Sequence, residues 1–304
     1  MPVLCFEQLE RRELLAAFSD LRTATVVIES NDPDTPVFTF AIQGTATWDG
    51  AEVLGRKIVY GNSVWDGYTP GVTLDDLAAV APDKAALLPG ETASFQNISS
   101  YTRGLNELLV IVDELPGTPT AADVVCRVGN QDDLSGWTAA PSPEVVVRPD
   151  CGDQGEDLVF LTWADGAIRQ TWLQVEILAT ENTGLPVSDV FYVGSAIGET
   201  GDAATPGAVL AADLAAIRDS IPRLRVGIEE AYDIDRSGHV LTPDLIACRD
   251  SIPTVLELIT PPTTVPREVW TRALSEYLTA EWAEPDDDRI LPRSEGWMAE
   301  PLEV

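Results

Sequence analysis

The chain has 304 residues, 45% of them hydrophobic, and carries 50 acidic against 19 basic side chains for a formal net charge of −31. That hydrophobic share is enough to bury a sizeable core, so the chain is not disordered overall. The charge argues against nucleic acid as a partner, because no basic footprint exists to neutralise phosphates, and no apolar run approaches the roughly 18 residues that suggest a membrane span.

The segment Phe6–Ala17 (FEQLERRELLAA) is too charged, and its apolar stretch too short, for an ordinary secretory signal. On its pattern alone it is an amphipathic helix. Its Leu9, Glu10, Arg12, Leu14, Leu15 and Ala16 resemble the Leu-Glu-x-Arg-x-Leu-Leu-Ala motif near the start of many exported or cell-surface proteins of planctomycete bacteria. The resemblance implies that residues 1–19 are a targeting segment and that the protein works outside the cell or on its surface.

From Arg22 to Thr45 two alternating runs flank the turn Asn31-Asp32-Pro33-Asp34, which predicts a β-hairpin within residues 20–47. The pair resembles the last two strands of an immunoglobulin-like repeat of the choice-of-anchor type. As a remnant of such a repeat it would need its edges covered.

Residues 48–198 contain eight strand-like runs: Lys57–Tyr60, Ala93–Phe95, Glu107–Val112, Val124–Val128, Glu144–Arg148, Leu158–Trp163, Trp172–Leu178 and Val190–Val193. They are separated by Gly, Pro and Asn-Asp clusters with no regular helical period between them. This predicts a mainly β fold, a β-sandwich or jelly roll, rather than a parallel α/β sheet. Trp163 and Trp172 lie in strand runs and are expected in the core, whereas Trp65 and Trp137 lie in loops and are the candidates for stacking on a sugar ring. Cys126 and Cys151 are either a bridge or two free thiols, Cys248 is a small core residue, and with no CxxC pair a zinc site is not expected.

Residues 199–258 carry a duplication. Asp213-Leu-Ala-Ala-Ile-Arg218-Asp219-Ser220-Ile221-Pro222 parallels Asp244-Leu-Ile-Ala-Cys-Arg249-Asp250-Ser251-Ile252-Pro253, a period of 244 − 213 = 31 residues. Ahead of the second copy, Asp233, Asp235 and Ser237 stand at positions 1, 3 and 5 of a twelve-residue loop, Gly238 at 6, His239 at 7 and Asp244 at 12. Side-chain oxygens at 1, 3, 5 and 12, with the His239 backbone carbonyl, form the ligand set a hard cation such as Ca²⁺ requires, and the glycine permits the sharp turn. The first copy keeps Asp202 and Asp213 at positions 1 and 12 but has Ala204 and Pro206 at 3 and 5, so weak metal binding or none is expected there. The alternative for both loops is a set of acidic turns that cap helices.

Asp at position 12 in place of Glu, the helix that follows and the missing entering helix make the second loop resemble the repeat of type I dockerin domains. The resemblance implies a small helical calcium-binding domain whose partner is a cohesin-type protein of the cell envelope. Its partner-selecting loop positions 10 and 11 correspond here to Ala211-Ala212 and Thr242-Pro243, a set poor in hydroxyls. Phrases such as Leu87-Leu88-Pro89-Gly90, Ser99–Gly104, Val128-Gly129-Asn130, Trp163-Ala164-Asp165 and Asp189–Tyr192 resemble a module that accompanies dockerin-like repeats in planctomycete surface proteins, one with no known catalytic residues.

Residues 259–304 hold a helix-capable stretch, Pro266–Leu278, and an acidic tail from Glu284. The single histidine, His239, is committed to the loop, so Ser-His-Asp and Cys-His chemistry lack a base. Neither phosphate-binding loop pattern occurs. Carboxylate pairs of the glycosidase kind remain open because no spacing singles one out. The expectation is a non-catalytic extracellular protein, structural or adhesive, with calcium as cofactor; the alternatives are a cohesin-binding scaffold component, and a carbohydrate-binding or polysaccharide-degrading protein.

Overall fold

The computed structural model describes residues 21–29, 37–45, 50–202 and 207–263. Residues 1–19, expected to be a targeting segment, the helix-capable stretch, the acidic tail, Ala204 and Pro206 lie outside the described residues. The described chain is mainly β.

The predicted hairpin is present: β1 (Leu21–Glu29) pairs antiparallel with β2 (Val37–Thr45). The next elements are β3 (Glu52–Val59), β4 (Ile98–Ser99), β5 (Glu107–Asp113), β6 (Val124–Gly129), β7 (Thr138–Ala139), β8 (Glu144–Arg148), β9 (Asp157–Thr162), β10 (Thr171–Ile177) and β11 (Asp189–Ser195). They form two sheets, one ordered β3-β5-β9-β8 and the other β4-β11-β10-β6-β7; every neighbouring pair is antiparallel except β4 and β11. Seven of the eight expected runs are strands within a few residues. The eighth, Ala93–Phe95, is not: Phe95 opens a 3₁₀ turn, and Asn97 Oδ1 accepts from the Ser94 N–H at 2.8 Å. That side-chain bond captures a backbone donor a ladder would need. Further 3₁₀ turns at Leu74–Ala79, Ala121–Asp123 and Leu134–Gly136 start at Thr73, Thr120 and Asp133, whose side chains accept backbone N–H groups. These turns are the helical structure that the lack of a regular period concealed.

After β11 come β12 (Gly207–Val209), α1 (Ala211–Ser220), β13 (Arg223–Leu224), β14 (His239–Val240), α2 (Thr242–Asp250) and β15 (Thr254–Leu256). The duplication is expressed as internal symmetry. β12 pairs with β15 and β13 with β14, so the strand beside each loop pairs with the strand that follows the other repeat's helix.

Alternating strand residues explain the burial. Leu108, Val110 and Val112 of β5 and Val159 and Leu161 of β9 meet Leu173, Val175 and Ile177 of β10 and Phe191 and Val193 of β11 in one apolar cluster, so the two sheets share a core. Trp172, Val190 and Tyr192 point the other way, into a second cluster with Val209, Ile217, Ile234, Val240, Cys248 and Leu256. The expected boundary between 198 and 199 therefore falls inside a continuous apolar contact. Trp172 is fully buried, and its Nε1–H donates to the Glu257 carbonyl at 2.7 Å, fastening the end of the second repeat to β10. Asn130 adds two bonds to the same segment, to the Val255 carbonyl and from the Glu257 N–H.

Of the two options for Cys126 and Cys151, the structure has both thiols free. Cys126 lies in the cluster between the sheets, whereas Cys151 packs against a separate cluster around Val59, Leu109 and Phe160. Cys248 is free and buried in the cluster beneath the repeats.

Glu107, at the start of β5, is buried, and its Oε1 has no hydrogen-bond partner among the described residues. Burial, with the charges of Asp76 and Asp66, pushes its carboxyl from the ordinary 4.5 up to about 8. A raised carboxylate pKa means that folding favours the protonated form. The group's contribution is therefore fully present below its unfolded value and is lost as pH climbs through the folded one. Glu107→Gln should melt above the parent at about pH 9 and close to it near pH 4.5, measured by thermal denaturation in chelator. The same difference at both pH values would contradict this.

Candidate metal centre

The second loop is built by its own backbone. Asp244 is the third residue of α2, where a carboxylate can accept from the N-cap amide, and its Oδ2 takes the Leu241 N–H at 2.8 Å. Its Oδ1 accepts from the Asp235 N–H at 3.0 Å, which ties the helix start to loop position 3. Asp233 Oδ1 accepts from the Ser237 N–H at 3.0 Å and Oδ2 from the Gly238 N–H at 2.8 Å; Asp235 Oδ1 shares the Ser237 donor at 3.0 Å. Gly238 has φ +78°, a conformation a side chain would strain, so the glycine at position 6 is required by the turn. No helix leads directly into Asp233: residues 221–232 hold only turns and β13.

These bonds bring Asp233, Asp235 and Asp244 together, with one carboxylate oxygen of each within 4.8 Å of the others. Oxygens about 2.3–2.6 Å from a shared Ca²⁺ can stand up to about 5 Å apart, so the spacing suits one ion. Ser237 Oγ donates to the His239 carbonyl at 3.3 Å, placing the two remaining predicted ligands side by side. The His239 imidazole is occupied elsewhere: Nδ1 accepts from the Arg225 N–H at 3.1 Å. Asp233 and Asp244 are fully buried. Burial pushes both carboxyls above the usual carboxylate range; the Asp244 charge adds to the effect at Asp233, while Arg236 and the backbone donors oppose it. A divalent cation would relieve that cost, since it favours the ionised form of each ligand.

Sequence reasoning missed what holds the loop in place. Arg236, at position 4, is 2% exposed, and its guanidinium lies 4.2 Å from the centre of the Tyr60 ring. Nη1 donates to the carbonyls of Ile228 and Glu230, and Nη2 to Tyr60 Oη and Ser100 Oγ. Backbone bonds from Val64 N–H to the Arg236 carbonyl and from Thr102 N–H to the Ile234 carbonyl complete the seat. Its signal in the sequence was only an arginine where a small loop residue would serve.

In the first repeat, Asp202 and Asp213 are joined by a residue the sequence reading passed over, Glu199, and the three carboxylates again lie within 4.8 Å of one another. The period offered a clue, since Glu199 aligns with Glu230 (199 + 31 = 230). In the second repeat, however, Glu230 pairs with Arg223 at 2.7 Å. Asp213, third residue of α1, accepts from the Leu210 N–H at 2.8 Å and from the Thr200 N–H and hydroxyl at 2.9 and 2.8 Å.

The tryptophans expected to meet a sugar are largely committed to packing. Trp137 is buried, stands edge-on to Tyr192 at 5.9 Å, and lies so close to Gly129 that a Cβ there would sit 2.4 Å from the ring. This corrects the expectation of an available face, because a loop position did not mean an exposed ring. Trp65 is half-buried against the cluster of Val59, Leu109 and Phe160.

No protein-family model matches the chain, and no curated protein or solved structure matches it.

Replacing Arg236 by methionine keeps much of its apolar bulk but leaves four acceptors without their donor. The variant should lose about 3 kcal/mol or more of stability in urea denaturation with chelator present. Arg236→Lys should recover only part of this, since one ammonium cannot reach acceptors on both sides of the contact. A loss below about 1 kcal/mol for methionine would show that the buried guanidinium does not hold the loop.

Proposed function

We propose that residues 199–258 are a calcium-binding loop-helix pair similar to type I dockerin repeats, carried on a β-sandwich made by the four- and five-stranded sheets. The protein is exported and non-catalytic, and its ion is structural. The observation that carries this reading is the convergence of Asp233, Asp235 and Asp244 in one buried loop, with Ser237 Oγ and the His239 carbonyl beside them. These are hard oxygen donors of the kind Ca²⁺ takes, and the spacing of the three carboxylates suits one ion. A millimolar-calcium, extracellular setting fits the resemblance of Leu9–Ala16 to an export motif. An ion at about 100 times its Kd would stabilise the fold by about 2.7 kcal/mol.

A second reading, a cell-envelope partner of the cohesin type, is favoured by the exposure of Ala211, Ala212, Thr242 and Pro243, the positions that select partners in the resembling family. Polysaccharide binding draws little support from Trp137, which has no free face.

Calorimetric titration of the chelator-stripped full chain with CaCl₂ tests the metal reading. Asp233→Asn should bind one ion fewer per chain than the parent, and the lost site should have a Kd of about 10⁻⁴–10⁻³ M, the range of extracellular modules. Equal stoichiometry in the two proteins would reject the loop as a site.

A further inference from the structure

The first repeat lacks the side-chain oxygens that make the second loop convincing, yet its carboxylates are the less well satisfied of the two sets. In the second loop no buried carboxylate oxygen lacks a partner: both oxygens of Asp233 and both of Asp244 accept backbone N–H groups. Glu199 is different. It is 1% exposed, its Oε1 accepts from the Gly201 N–H at 2.8 Å, and its Oε2 is buried with no hydrogen-bond partner among the described residues. A buried carboxylate oxygen with no donor carries a large desolvation cost. This one belongs to a group that faces the carboxylates of Asp202 and Asp213.

No basic side chain answers it among the described residues. Lys84, whose Nζ lies 3.4 Å from the centre of the Phe95 ring, donates to the Phe95 carbonyl and pairs with Asp83. The same Phe95 ring closes the wall beside the cluster, so near Gly201 that a Cβ there would stand 2.8 Å from it. Three carboxylates, one with an unanswered buried oxygen, are thus held together with an exposed member, Asp202, at the mouth.

We infer that Glu199, Asp202 and Asp213 form a second Ca²⁺ site, in which a glutamate three residues before the loop supplies the oxygens that Ala204 and Pro206 cannot. The ligand set is not that of the second loop. It draws two buried carboxylates and one exposed one from the loop's approach, its first position and the helix that follows. An acidic turn serving only to cap α1 would need Asp213 alone, which already accepts from Leu210 and Thr200.

The test is calorimetric titration of the chelator-stripped full chain with CaCl₂ at about 0.15 M salt, where non-specific binding to an acidic surface is screened. The parent should bind two ions, Glu199→Gln one, Asp233→Asn one, and the double variant none. Glu199→Gln should also melt no lower than the parent in chelator, because the amide removes a buried charge while keeping the shape, and should gain less from calcium. Asp202→Asn, at an exposed position, should lose the same ion without affecting folding. Two ions retained by both Glu199→Gln and Asp202→Asn would overturn the inference. So would a single ion in the parent that Asp233→Asn alone abolishes, an outcome that leaves the second-loop site standing. A single ion abolished by Glu199→Gln but kept by Asp233→Asn would reject the second-loop site and support this one.

Discussion

The buried guanidinium of Arg236 is the contact on which the arrangement of the molecule turns. It sits at position 4 of the acidic loop, in the left-handed conformation (φ 53°), and bridges the Ile228 and Glu230 carbonyls beside the loop to Tyr60 and Ser100 of the β module. A charge this deep is tolerated because four acceptors and an aromatic face surround it. Its backbone carbonyl accepts from Val64 on the same side, so the loop's conformation and its seat on the β module are specified together. A separate domain on a tether would have no use for such an arrangement.

The shared apolar cluster has the same consequence. The outer face of the five-stranded sheet presents Trp172, Val190 and Tyr192, and the repeats cover it with Val209, Ile217, Ile234, Val240 and Leu256. Neither part could leave the other without exposing this surface, at about 25 cal/mol per Å² of apolar area. The pairings of β12 with β15 and β13 with β14 lock the two repeats to each other as well, so each loop's geometry depends on the far end of the other repeat. An ion taken up by either loop would therefore act on the whole body.

Much of this was legible in the sequence, for physical reasons. Short apolar runs such as those of β5 and β9 report strands buried on both faces, and the 31-residue period reports a duplicated unit whose copies must pack alike. The spacing of Asp233, Asp235 and Asp244 around Gly238 could be picked out because a tight turn running into a helix N-terminus brings such positions together, as the structure does with the three carboxylates. What escaped was long-range. Ala93–Phe95 looked like a strand until the Asn97 side chain took a ladder donor, and Trp137 looked exposed because a loop position says nothing about what folds over it. Arg236 was silent for a related reason: its partner Tyr60 lies 176 residues away, and no local pattern encodes the contact. Glu199 left only the 31-residue period as a clue, because it stands outside the twelve-residue loop whose spacing could be read.

The central claim is that the β module and the repeats form one cooperative unit whose stability calcium controls. Differential scanning calorimetry of the full chain, in chelator and in millimolar CaCl₂, tests it most directly. The account predicts that module and repeats unfold in one endotherm that moves upward as a whole when calcium is present. Two endotherms, of which only a small one responds to calcium while the larger stays fixed, would contradict it and restore the picture of an independent calcium-binding domain attached to an indifferent β module.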